Sequence, residues 1–487
     1  MTSTSNGETQ EDDQVLLDAE DAAEEIVEND DQDHHMDSDP EDGIEETIQL
    51  QNDSTAHFDA HTDSIFCIAQ HPVDRSIVAT GGGDDTTYVW SSSPPSRPLP
   101  ASYESAPQSE RASLESIARL TGHTDSVNAI TFTQPSGSYL VTGGLDGQVR
   151  VHVATDSTYN LLASTQEVPE VNFFAPCPNA SYPDTFALGA SDGSVWVYRI
   201  DSAEKDNQLQ VLQAYYLHTE AVTAGAWTHD GKLLATVSED GTFYTWDPFA
   251  EAAAKGVKGT GQAIVGLSPE DQRFAVEGGL YSVAIAPGDA IAVVGGAGGN
   301  IRVVGLPRLD VPADRGIKGG GARNKNAGGK KAGGPPGEGG QAGQILASLQ
   351  VQSDGVETLA FSQPPMTLLA AGSVDGSIVL LDYAHRWAVR RHIKDAHDEF
   401  AVVKVEFMSP ESGKPHILTS CGMDGVVKRW DSRGGTAAGG QGLVGEWRGH
   451  RGEGEKGGVL GFVEGGKKGT IVTAGDDSVA LVFDAFD

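Results

Sequence analysis

Short apolar runs with period-two alternation recur along the chain, each broken by a cluster of Gly, Asp and Ser. The clearest unit opens at Gly122-His123-Thr124-Asp125-Ser126-Val127 and continues as an apolar run to Phe132. A second run, Leu140-Val141-Thr142-Gly143-Gly144, reaches the turn Asp146-Gly147, and a third begins at Val149. The unit returns at His61 with Asp84 and Trp90, and at His218 with Ser238, Asp240 and Trp246. It returns again at His397 with Asp424 and Trp430, and at His450 with Asp477 and Phe483. Three further units lack the histidine but keep the second half: Asp192 to Tyr198, Gly298 to Val304, and Asp375 to Leu381. In all eight units the turn residue and the last residue of the unit stand six apart. Alternating runs joined by such turns predict antiparallel hairpins.

The paired Gly-His and Trp-Asp signatures resemble those of the WD-repeat family, in which each pair brackets one four-stranded blade of a β-propeller. The resemblance covers residues 57–487 and implies an all-β fold, a single eight-bladed propeller occupying residues 47–487. The run before each histidine, such as Leu114 to Leu120, is then the outer strand of the preceding blade. On that logic Thr47-Ile48-Gln49-Leu50 is the expected closing strand, beside Ala480 to Phe483 in the last blade, so that no sheet edge is left at the seam.

Composition changes the picture at both ends of the charge scale. The 487 residues carry 70 Asp and Glu against 33 Lys and Arg, a formal charge of −37. Residues 1–56 hold 20 of the acidic side chains and no Lys or Arg. So polar a segment buries too little apolar area to offset the entropy of ordering it, and residues 1–46 are expected to be a disordered acidic tail. Residues 305–343 are Gly-rich and basic, residues 91–113 are Ser/Pro-rich, and residues 250–272 are Ala/Gly-rich. The first two are expected to be flexible loop insertions on the bottom face. A net charge of this sign disfavours DNA and anionic membranes and favours a basic partner. Cys67, Cys177 and Cys421 are too scattered for a disulfide framework or a cysteine zinc site, and no cofactor or metal is expected. No apolar run is long enough to cross a bilayer, and no signal peptide is evident. The expectation is a monomer in the cytoplasm, with shuttling to the nucleus left open.

The repeated histidine, hydroxyl and aspartate have the look of catalytic machinery. The family resemblance implies instead a buried network in each blade: His218, Ser238, Asp240 and Trp246 in one unit, His123, Thr142 and Asp146 in another, with His152 replacing the tryptophan. Repetition argues for structure, since an enzyme seldom carries several copies of one triad. No nucleophile–base pair stands outside the repeats, so no catalytic residue is assigned and the chain is not expected to be an enzyme. Gly461 to Lys468 approaches a phosphate-binding loop, but Lys468 replaces the Ser/Thr that would bind Mg²⁺, and no helix follows.

The histidine loops and the turns should share the top rim. Acidic residues collect there: Asp63, Asp125, Glu220, Asp354 and Glu399 two places after the histidine or its equivalent, Glu239 and Asp476 beside the turn aspartate, and Glu167, Glu170, Glu277, Glu357 and Asp398 nearby. A ring of carboxylates at a narrow mouth focuses potential and favours a cationic peptide. Phe66 and Phe400 are candidate apolar anchors beside those charges. The wording of several repeats narrows the resemblance further: Ala60-His61-Thr62-Asp63-Ser64-Ile65-Phe66-Cys67, Glu239-Asp240-Gly241-Thr242, and Cys421-Gly422-Met423-Asp424-Gly425 through Trp430-Asp431 are similar to the angio-associated migratory cell protein family. Fungal members of that family escort the QM-family protein of the large ribosomal subunit. The resemblance thus implies a dedicated chaperone that holds the client's basic N-terminal segment on the acidic top and delivers it for late 60S assembly. The rival expectation is a scaffold for a signalling or ubiquitin-ligase complex.

Overall fold

The computed structural model describes residues 51–93, 113–155, 158–259, 261–309, 341–433, 442–451, 457–465 and 470–484. The chain divides into two units, Met1–Gln49 and Leu50–Asp487. The first unit, with the expected tail 1–46, lies outside the described residues, as do the run 47–50 and most of the insertions 91–113 and 305–343.

Among the described residues, the strands form eight four-stranded antiparallel sheets. Seven sheets are continuous in sequence, and their inner strands are Ile65–Gln70, Val127–Phe132, Val171–Pro176, Val222–Trp227, Leu280–Ile285, Val356–Phe361 and Val402–Phe407. The eighth begins with inner strand Val459–Gly465. Each inner strand packs on the next, and Val459–Gly465 packs on Ile65–Gln70, which closes the ring. This is the eight-bladed propeller that the repeats predict. Its core lies between sheets, where second-strand residues such as Leu140, Leu188, Leu369 and Val472 are fully or almost fully buried.

The closing strand differs from the expectation. It is Ala56–Phe58, not 47–50: Ala56 pairs with Val482 and Phe58 with Ala480. All three of its side chains are buried. The physical reason is the length of the loop that follows. Outer strands end three or four residues before the blade histidine, as Leu120 does before His123, Tyr215 before His218, Ile393 before His397 and Trp447 before His450. Phe58 stands in that relation to His61, whereas Leu50 is too far upstream.

A second difference concerns residues 250–272. They contain a short helix, Glu251–Ala254, and also the outer strand of the fourth blade, Val265–Leu267. Ala252 of the helix packs on Leu233 and Leu309, so part of this Ala/Gly-rich stretch belongs to the core. The three insertions occupy one topological place, the link from third to outer strand in the first, fourth and fifth blades. That link lies at the end of the sheet opposite the histidine loops.

Candidate functional site

The blade networks come first because they fix the top loops. In the first blade Trp90 Nε1 donates to Thr80 Oγ1 at 3.2 Å, Thr80 lies 3.0 Å from His61 Nε2, and His61 Nδ1 lies 3.0 Å from Asp84. The only proton order that satisfies every group runs from Trp N–H to Thr oxygen, Thr O–H to His Nε2, and His Nδ1–H to the carboxylate. The seventh blade repeats it with Trp430, Ser420, His397 and Asp424. The eighth keeps His450, Thr473 and Asp477. Burial pushes the Asp424 carboxyl up, yet the hydrogen bond from His397 and the other partners outweigh this and hold it below the usual range.

The fourth blade corrects the sequence reading. Thr236, not Ser238, is the network hydroxyl: it accepts from Trp246 Nε1 at 2.8 Å and lies 2.8 Å from His218 Nε2. Ser238 donates instead to the backbone carbonyl of Glu220, at 3.0 Å. His218 Nδ1 meets Thr242 Oγ1 at 2.6 Å, and Thr242 in turn donates to Asp240, so one hydroxyl is inserted into the chain. In the second blade His123 lies 2.9 Å from Thr142 and 3.1 Å from Asp146, as expected. His152 is buried there, and its Nδ1 has no hydrogen-bond partner among the described residues.

Ser420, His397 and Asp424 have the order of a hydrolytic triad, but Ser420 is fully buried and its oxygen already accepts the Trp430 N–H. The hydroxyl has no access to solvent or to a substrate. Among the described residues, no group of three His, Cys, Asp or Glu could hold a metal ion.

Held by these networks, the top loops aim their carboxylates outward. Asp63, Asp125 and Asp354 each accept a hydrogen bond from the backbone N–H of the next residue, at 2.8, 2.7 and 2.7 Å. Gly376 turns with φ 77°, and a Cβ there would lie 2.0 Å from the Asp398 carbonyl oxygen, so only glycine lets this loop approach. Asp476 is partly buried and accepts from Ser64 Oγ across the seam between the last blade and the first. Asp63, Asp125, Glu167, Glu170, Glu220, Glu239, Glu277, Asp354, Glu357, Asp398 and Glu399 are all exposed. Phe66 is exposed and Phe400 half-buried.

Three of the expected carboxylates converge. Glu170, Glu239 and Glu357 line one cavity of roughly 600 Å³, with Asn128, Asn172 and Tyr281 among its walls. Glu357 keeps an exposed edge, but the surrounding protein partly desolvates its carboxyl, and this, reinforced by Asp354, raises it above its usual value. Burial likewise raises the Tyr281 hydroxyl, with Glu357, Glu239 and Asp354 adding to the shift. The cavity is therefore short of positive charge. Asp63, Asp125, Glu167, Glu220, Glu277, Asp398 and Glu399 do not line it.

Sequence reasoning missed Asn128, Asn172, Thr223 and Tyr281 in the cavity wall, and Asp85 on the rim. Asp85 is raised by burial and then by Asp125, Asp84 and Asp146, which places it in the acidic field of the second blade's loop. The wall residues share one signal, the second place of an inner strand.

Comparison with known proteins agrees with this architecture. Residues 52–91, 114–152 and 209–247 match the family "WD domain, G-beta repeat". The crystal structure of Chaetomium thermophilum Sqt1 bound to the N-terminus of the ribosomal protein L10 superposes with a TM-score of 0.75 and 48% identity, covering 89% of this chain and 100% of that one. The ribosome assembly protein SQT1 of Saccharomyces cerevisiae is 32% identical over 267 residues, an alignment spanning 53% of this chain and 53% of that protein. The human angio-associated migratory cell protein is 24% identical over 450 residues, 91% of this chain and 83% of that protein. With 48% identity over the whole of one solved relative and eight blades in the expected register, the chain belongs to the WD-repeat family of Sqt1 and the angio-associated migratory cell protein.

Proposed function

We propose that this protein is a dedicated, non-enzymatic chaperone of a large-subunit ribosomal protein. It binds the client's basic N-terminal segment on the acidic top face, in the cytoplasm, and releases it at a late step of 60S assembly. One observation carries the reading: a relative 48% identical to this chain was crystallised with the N-terminus of ribosomal protein L10. The site supports it in its own right. Glu170, Glu239 and Glu357 offer three carboxylates in one cavity, where their summed charge favours a guanidinium or ammonium. Burial of the blade hydroxyls supports a structural role for the triads and so favours a binding function.

The test is titration of the full-length protein with a peptide copying the L10 N-terminus, at low and at physiological salt. Binding that weakens as salt rises, and that is lost in Glu170→Lys with Glu239→Lys while the thermal midpoint holds, is the expected result. Binding indifferent to salt and to both substitutions would overturn the reading.

A further inference from the structure

The inner strands share an irregularity that the repeats alone do not reveal. In all eight, the pairing with the second strand skips the second residue: the register shifts between Ile65 and Cys67, Val127 and Ala129, Val171 and Phe173, and Val222 and Ala224. The same shift falls between Leu280 and Ser282, Val356 and Thr358, Val402 and Lys404, and Val459 and Gly461. A bulge of this kind takes one residue out of the ladder and re-aims its side chain. The propeller thus carries a ring of eight bulged residues around the mouth of its channel.

The ring is split. The second to sixth blades place Asn128, Asn172, Thr223, Tyr281 and Glu357 there, and all five line the acidic cavity. The other three blades are consecutive around the closed ring, because Val402–Phe407 packs on Val459–Gly465, which packs on Ile65–Gln70. They place Val403, Leu460 and Phe66 in the same position. Phe66 is 41% exposed, and Val403 and Leu460 are half-buried. Three consecutive apolar positions, one of them an aromatic ring exposed to solvent, make an arc of the kind a partner docks on. Carboxylates flank it: Asp63 and Phe66 both abut Gly83, and Asp476 is tied to Ser64, two residues before Phe66.

We propose that Phe66, Leu460 and Val403 form an apolar subsite that receives one aromatic or long aliphatic side chain of the same cationic segment whose basic residues occupy the Glu170, Glu239 and Glu357 arc. The occupant is argued from charge and continuity. The apolar arc is bordered by acids and completes the ring whose polar arc lines the cavity, so what fits is a basic segment with an apolar residue within it. A purely polybasic chain would use half of the mouth. The arc is in this way a selectivity device, separating one client from the many cationic tails in a cell. This inference rests on the top-face reading above.

The experiment compares two Arg-rich peptides, one carrying a single Trp and the other Ala in its place, on the wild-type protein and on Phe66→Ser with Leu460→Ser. The wild-type protein should bind the Trp peptide roughly ten-fold more tightly, the ratio expected for burying most of one large apolar side chain. The double variant should lose that preference and bind the Ala peptide as the wild type does, with its thermal midpoint showing that it is folded. Equal binding of both peptides to the wild type, or a preference that survives in the variant, would overturn the apolar subsite and leave the acidic site standing. Failure of both peptides to bind would overturn the top-face reading and the subsite with it. Phe66→Ser alone supplies a second arm, since an exposed side chain contributes little to the core; it should lose most of the preference.

Discussion

Phe58 lies face to face on Trp90, with ring centroids 4.9 Å apart and planes 5° from parallel. Phe58 belongs to the strand that closes the last blade, and Trp90 lies in the third strand of the first, so the stack ties the two blades together across the seam. Both rings are fully buried. Phe58→Ala is expected to cost about 3–5 kcal/mol, as a large cavity at the seam cannot collapse. Removing residues 1–50 removes no part of this strand and should leave the denaturant midpoint unchanged. Urea unfolding of the two variants checks both outcomes, and a midpoint unmoved by Phe58→Ala would contradict the closure.

Thr236 holds two buried partners at once, Trp246 Nε1 and His218 Nε2. Thr236→Val keeps the shape and strands both groups, at an expected cost of about 3 kcal/mol. Ser238→Ala frees the Glu220 carbonyl and the Asp240 N–H, both at the part-buried rim, and should cost about 1 kcal/mol. The ratio of the two effects, measured by chemical unfolding, separates the observed network from one built on Ser238.

These two corrections show what a sequence pattern holds and what it does not. The eight turn-to-end spacings were legible because a hairpin turn fixes the register of the strands beside it. Thr236 and Ser238 are two apart, and so share one face of their strand; periodicity cannot choose between them. Distance from the turn can. Thr80, Thr142, Thr236, Ser420 and Thr473 all stand four residues before their turn aspartate, and Ser238 stands two before. The closing strand was missed for a similar reason: Ala56-His57-Phe58 is less apolar than the run at 47–50, but it has the right distance to His61. The acidic rim was legible as composition and the cavity was not. Tyr281 and Asn172 reach the mouth through a bulge, and a bulge is defined only by the strand opposite. How the carboxylates divide between cavity and outer rim likewise depends on this geometry.

His152 fills the position that Trp90 holds in the first blade, and burial, reinforced by Arg150 and His123, lowers its pKa to about 4. In the unfolded chain it titrates near the ordinary 6.5. Between those values the unfolded state binds a proton that the folded state refuses. The stability contribution is therefore complete above 6.5 and falls as the pH drops towards 4. At about pH 5.5 the loss is about 1.2 kcal/mol relative to neutral pH. His152→Phe should remove this share of the slope, whatever it does to packing. Unfolding free energies measured across the window would contradict the assignment if the slope were the same in both proteins.

Glu357 ties the binding site to pH in the opposite sense. Partial desolvation and the neighbouring Asp354 hold its carboxyl above the ordinary 4.5, so part of the population stays protonated in mild acid. A cationic peptide gains from the ionised form only, and its affinity should rise with pH through that raised value and then level off. Binding the cation in turn pulls the proton off, so complex formation below the plateau releases protons into the buffer. Glu357→Gln should weaken binding at neutral pH and flatten this rise, because the amide is neutral throughout. Peptide titrations from mildly acidic to neutral pH read the effect directly. An identical pH profile in the Gln variant would mean that the cation rests on Glu170 and Glu239 without Glu357.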